Sequence, residues 1–177
     1  MRKRFMSLTA VVLGVAATAV GAVAGPASAG GSPWVRYEQP DVLVPAARST
    51  CAFDVQQTVV EDREYYRDVE HYPDGTVRTQ QWRGPLVMRY TNVTTGASVV
   101  RDLSARATVH YRPDGSMASM VSEHGAFGAT MPAGSTPATG LYVLDGRGTT
   151  LTLHPDGTRS FTLGPRGTAE NVCEAID

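Results

Sequence analysis

Three of the four histidines stand just ahead of a Pro-Asp-Gly: HYPDG at 71–75, HYRPDG at 110–115 and HPDG at 154–157. Histidine near aspartate is the raw material of metal sites and acid–base pairs, so the first question is whether one site is written three times. Position argues against it. Proline suits the first corner of a type I turn, aspartate the second, and glycine the left-handed residue that follows. Counting back from the proline, His154 is adjacent, His71 one residue further and His110 two. Side chains in a strand change face at every step, so the three imidazoles do not repeat one position. His110 runs in the polar phase of its strand with Arg106, Thr108 and Arg112, and His154 runs with Thr150 and Thr152. The motif therefore predicts three hairpin turns, and no metal site is expected from it.

His71 is the histidine whose facing the sequence leaves open. In the stretch 62–72 one phase reads Arg63, Tyr65, Arg67, Val69, His71 and the other Glu64, Tyr66, Asp68, Glu70, Tyr72. Neither phase is apolar. A charged edge strand, protected from aggregation by its charges, reads this way. So does a strand lining a polar cavity, where Tyr65, Arg67 and His71 would hold a ligand. The carboxylates Glu61, Asp62, Glu64, Asp68 and Glu70 are numerous enough to include a glycosidase-type pair, but nothing singles out two of them. There is no G-x-S-x-G, H-E-x-x-H, C-x-x-C, P-loop or G-x-G-x-x-G. No catalytic residue and no cofactor is assigned.

The elements that must carry these residues read as strands. Phe53, Val55 and Val59 alternate with polar neighbours, as do Leu86, Met88 and Tyr90, Val109 and Tyr111, and Leu151 and Leu153; Phe161 and Leu163 finish the series. Period-two patterning of this kind marks strands with one buried face. The breaks between them are turn chemistry: the three Pro-Asp-Gly, NVTTG at 92–96, DGRG at 145–148 and GPRG at 164–167. The expectation is an all-β domain, an antiparallel meander of about eight to ten strands closing into a barrel, with a sandwich as the alternative. The segment His124–Gly140, HGAFGATMPAGSTPATG, is too long for a hairpin and nearly uncharged. It reads as either a disordered excursion or a lid over the barrel mouth, with Phe127 and Met131 as ligand-facing residues of the lid.

The ends and the charge bound the rest. Arg2, Lys3 and Arg4, an Ala/Val/Leu/Gly-rich run and Ala27-Ser28-Ala29 read as a signal peptide, residues 1–29, cleaved after Ala29 to give a secreted chain. Residues 30–50 read as an extended N-terminal tail and 51–177 as one domain. From residue 30 onward 13 arginines stand against 17 acids, a net charge of −4 with histidine neutral. That argues against nucleic acid and against an anionic membrane as main partners. No stable membrane insertion is expected after cleavage, and the domain reads as a monomer. Cys51 and Cys173 allow one pairing, and in an exported chain a disulfide closing a loop of about 120 residues is the default.

Cys51-Ala52-Phe53-Asp54-Val55, Gly84-Pro85-Leu86-Val87 and Thr95-Gly96-Ala97-Ser98-Val99-Val100-Arg101, with the Ala-rich leader and a cysteine near the end, resemble a loose group of uncharacterised secreted β-rich proteins of actinobacteria. The resemblance implies export and a β-rich domain and brings no catalytic residues. The leading expectation is a non-enzymatic module binding a small apolar or amphipathic ligand. The alternatives are a secreted enzyme with an acid–base site near His71 and a surface or matrix protein without a pocket.

Overall fold

The computed structural model describes residues 32–47 and 50–177; the expected signal peptide and its cleavage site lie outside them. The described chain is all-β apart from one short helix. Its strands are β1 (Val35–Arg36), β2 (Val42–Val44), β3 (Val55–Asp62), β4 (Tyr65–His71), β5 (Val77–Gly84), β6 (Leu86–Asn92) and β7 (Ser98–Asp102). They continue as β8 (Ala105–Tyr111), β9 (Met117–Met131), β10 (Gly140–Asp145), β11 (Thr150–Leu153), β12 (Arg159–Thr162) and β13 (Thr168–Asn171), followed by α1 (Val172–Ala175). Two antiparallel sheets result. The smaller runs β2-β3-β6-β7, and the larger runs β1-β4-β5-β8-β9-β10-β13, with β11 and β12 added beside the first half of β9.

The same stretches of chain build both sheets. β3 passes into β4 through Arg63 and Glu64, β5 into β6 through Pro85, and β7 into β8 through Leu103 and Ser104, and each passage changes sheet. Glycine makes the corners possible. Gly84 has φ 137° and an added Cβ would stand 2.1 Å from the Arg63 carbonyl oxygen; at Gly125 (φ 78°) it would stand 2.0 Å from that of Ser104. No side chain fits at such an approach. The Arg63 N–H donates to the Pro85 carbonyl (2.8 Å) and the Leu103 N–H to that of Leu86 (2.7 Å), which ties neighbouring corners together.

The three Pro-Asp-Gly turns are three copies of one hairpin, joining β4 to β5, β8 to β9 and β11 to β12 along the larger sheet. Gly75, Gly115 and Gly157 have φ of 88°, 80° and 86°. In each turn the aspartate side chain accepts the N–H of the residue after the glycine, Thr76, Ser116 or Thr158, at 2.9 Å. At Asp74 the Thr76 N–H, and at Asp114 and Asp156 the Ser116 and Thr158 hydroxyls and then their N–H groups, hold the carboxyl below its ordinary range.

No closed barrel forms among the described residues, and a sandwich-like arrangement fits instead. The reason lies in β9 and β10. Beyond Gly125, β9 leaves β8 and pairs with β10, whose residues Leu141–Leu144 are buried on both faces. One face packs Ala126, Leu141 and Val143 against Val55, Leu86, Met88 and Tyr90 of the smaller sheet. The other packs Phe127, Met131, Tyr142 and Leu144 against Leu151, Met120 and Phe161. A middle layer thus occupies the space a barrel would leave open. The stretch expected as a lid is this layer: 124–131 is strand, and only 132–139 connects it to β10.

The tail is ordered where it is described, with β1 paired to β4 and β2 to β3. At the other end α1 is capped by Asn171, buries Val172 and precedes a buried Ile176, whose carbonyl accepts from Asn92 Nδ2 at 3.0 Å. Cys51 and Cys173 are bonded, with Cα atoms 5.3 Å apart and a sequence separation of 122.

Gly75→Ala meets nothing within 4 Å and carries only the left-handed backbone cost, about 1–2 kcal/mol. Gly84→Ala and Gly125→Ala add a clash with backbone and are expected to lose at least about 3 kcal/mol in urea unfolding. Removing the bridge by paired Cys51→Ala and Cys173→Ala is expected to cost on the order of 2–5 kcal/mol, read by the same titration.

Candidate functional site

Inside the corner, where the larger sheet turns toward the smaller, a pocket of about 230 Å³ opens. Leu86, Leu103, Val109, Met120 and Phe127 make its apolar wall, and Tyr37, Trp82 and Glu64 bring aromatic and acidic character. Each element contributes for a local reason. Trp82 and Val109 occupy the inward phase of β5 and β8, opposite Ala107 and Gln80 respectively. Leu86 opens β6 directly after the Pro85 corner and Leu103 stands in the β7–β8 corner, so both buried side chains line the pocket with Ala105, Ala107 and Val109 of β8.

Trp82 is fixed from several sides. Its indole N–H donates to Gln80 Oε1 (3.0 Å), which also accepts from the Tyr111 hydroxyl (2.7 Å), while Gln80 Nε2 donates to Asp68 (2.8 Å). Tyr66 stacks on its ring at 5.2 Å and Tyr37 meets it edge-on at 5.1 Å. Burial, with the Asp68 charge adding to it, raises the Tyr111 hydroxyl above its ordinary pKa, so it is a proton donor in this chain of bonds.

Tyr37 belongs to the N-terminal strap, which Asp62 holds in place. The Asp62 carboxylate accepts the Gln39 N–H at 2.7 Å, the Glu64 N–H at 2.9 Å and Arg36 at 2.9 Å. Desolvation pushes this carboxyl up, but the hydrogen bonds outweigh it and hold the pKa below its ordinary value. The Tyr37 N–H donates to the Glu64 carbonyl at 3.0 Å, which seats the ring at the pocket.

Glu64 is the unusual group. Burial and then the charge of Asp62 raise its pKa to about 7, with Arg36 opposing them. Two adjacent acids are thereby driven apart: Asp62 stays ionised in a cage of donors, and Glu64 lies beside apolar walls.

The residues expected from sequence do not gather here. Tyr65 is on the outer face with the Arg36 guanidinium 5.7 Å from its ring centre. Arg67 is also outside, bonded to Gln81 Oε1 (2.9 and 2.6 Å) and 4.8 Å from the Trp34 ring. His71 is separated from both by bulges at Asp68–Glu70 and Glu70–His71. Glu70 takes the outer phase and accepts from Thr79 (2.9 Å); His71 turns to the other side, exposed, 3.9 Å from Asp68. That distance is no hydrogen bond. Phe127 lines the pocket wall, whereas Met131 lies wholly within the core. Glu64, Tyr37 and Trp82 carried no sequence signal as a set. Glu64 is one of five carboxylates between residues 61 and 70, and the two aromatic residues are far from it in sequence. Among the described residues there is no cluster of three or more His, Cys, Asp or Glu arranged to hold a metal, and no helix long and apolar enough to cross a membrane.

Glu64 holds its proton more tightly folded, with a pKa of about 7, than at its ordinary value of 4.5. Its contribution to stability is therefore full below about pH 4.5 and lost as pH rises through about 7. Glu64→Gln is expected to remove that decline and to be more stable than the parent at pH 8, measured by urea midpoints from pH 4 to 8. No family model, no curated protein and no solved structure matches the chain.

Proposed function

We propose that this chain is a non-enzymatic binding module for a small amphipathic ligand, its apolar part against Leu103, Val109 and Phe127 and a cationic head beside Glu64, Tyr37 and Trp82. The observation that carries the reading is a preformed, largely apolar pocket containing a carboxyl that titrates near neutrality. A cation beside Glu64 offsets the desolvation that raises its pKa, and aromatic rings add attraction of about 0.5–2 kcal/mol. At about 230 Å³ the pocket is below the roughly 300–1,000 Å³ of drug-sized sites, which favours a head group with a short chain. Export of the chain as a secreted protein accords with this reading. The Cys51–Cys173 bridge and the lack of a membrane-crossing helix among the described residues are compatible with an extracellular protein.

An acid–base enzyme is the second reading, and its support has moved from His71 to Glu64, because a carboxyl titrating near 7 suits a general acid. That reading predicts turnover abolished by Glu64→Gln.

Short-chain alkyltrimethylammonium ions separate these ideas, since their charge does not titrate. Glu64 is faced by Asp62, Arg36, Tyr37 and Arg83, and its own pKa of about 7 sets the pH range of the test. Calorimetric affinity is expected to rise about tenfold per pH unit up to about pH 7 and then level, with Glu64→Gln pH-independent and Trp82→Ala at least about tenfold weaker. Alcohols of equal chain length binding as well as the cations, without pH dependence, would exclude the head-group assignment. Failure of both series would exclude the pocket as a site.

A further inference from the structure

On the outer face of the same corner the strand register lines up basic side chains. Arg83 of β5 stands directly opposite Arg106 of β8, and Arg106 directly opposite His124 of β9. Like charges directly opposite one another destabilise a sheet. Among the described residues no ion pair includes Arg83, Arg106, His124 or Arg147. Arg83 instead lies over Trp34, 3.9 Å from the ring centre.

These residues border one groove of about 940 Å³ together with Arg147, Ser104 and Ser122, the last of which is buried and donates its hydroxyl to the Gly125 carbonyl at 2.9 Å. Glu123 is the one acid along it, and Glu123 Oε1 already accepts from Thr108 at 2.7 Å. An adjoining hollow of about 390 Å³ shares Arg83, Gly84 and Pro85 and adds Arg63. The chain from residue 30 onward is net negative, so this concentration of arginine is local and does not follow from composition. Arginine presents a planar fork of donors that matches tetrahedral oxyanions, and neutralising the row would relieve its internal repulsion.

We propose that this groove is a second binding site, on the other side of Arg83 from the inner pocket, for a ligand carrying several phosphate or sulfate groups. The spacing supports several groups on one ligand. Adjacent strands lie about 4.8 Å apart, so the row from Arg83 through Arg106 to His124 covers roughly 10 Å, with Arg147 beyond. A lone oxyanion engages one or two of these side chains; a linked series engages the row.

The test uses the full chain without its leader and three probes at low salt: inorganic phosphate, tripolyphosphate and a sulfated tetrasaccharide. The expected result is calorimetric binding of at least one multivalent probe at least tenfold tighter than phosphate and weakening steeply as salt rises. Which multivalent probe binds tighter assigns phosphate or sulfate. Arg106→Gln and Arg147→Gln should each weaken the preferred probe about tenfold, while Arg89→Gln, an exposed arginine on the smaller sheet, leaves it unchanged. Arg106→Gln should also melt no lower than the parent, because it removes a like-charge neighbour, and Arg106→Lys should retain most binding. Arg83 borders both sites, so it is left intact, and alkyltrimethylammonium binding should be unaffected in all four variants. Failure of every probe to bind at millimolar concentration overturns the proposal. So does equal loss from Arg89→Gln and Arg106→Gln, which would show diffuse charge attraction in place of a site.

Discussion

The structure depends on a close backbone approach at the corners, where Gly84 passes the Arg63 carbonyl and Gly125 that of Ser104. Because those two positions have no side chain, neighbouring stretches can change sheet at the same level and still keep their ladder hydrogen bonds. A strand with a Cβ at either point would have to separate from its neighbour. The two sheets would then cease to be continuations of one another.

Both candidate sites follow from that geometry. On the inside the corner brings Leu86 and Leu103 of one arm against Val109 of the other and leaves a pocket between them. On the outside it exposes the row Arg83, Arg106 and His124, which the inward phase of the same strands cannot accommodate. Asp62 and Glu64 sit at the corner itself and divide their roles by environment. Backbone donors and Arg36 keep Asp62 charged and hold the strap; Glu64, two residues on, has apolar neighbours and a raised pKa. The strap places Tyr37 against Trp82, which Tyr66 already stacks from the other strand, so docking of the strap completes the aromatic side of the pocket.

Much of the local structure was legible in the sequence. The Pro-Asp-Gly turns, the alternation in 86–91, 108–111 and 150–153, and the Cys51–Cys173 pairing appear as read, whereas the first long strand starts at Val55, with Phe53 and Asp54 ahead of it. Near-neighbour chemistry decides the turns and the alternation, and the disulfide is legible because two cysteines allow one pairing. The facing of His71 was not legible, because two bulges alter the phase that strict alternation assigns. Nor was 124–131 legible as a strand. Its Gly and Ala residues lack β propensity, and it is held by burial between two layers that propensity does not register.

By itself the sequence determined an all-β chain, its hairpin turns and one disulfide, since each follows from residue type at short range or from the pairing of two cysteines. The tertiary structure alone decided that the meander folds over as sandwich-like layers and does not close. It also decided that Glu64 meets Tyr37 and Trp82, and that arginines from separate strands share one row. Those outcomes turn on corner position, bulges and register. A shift of one residue in any of them sends a side chain to the opposite face.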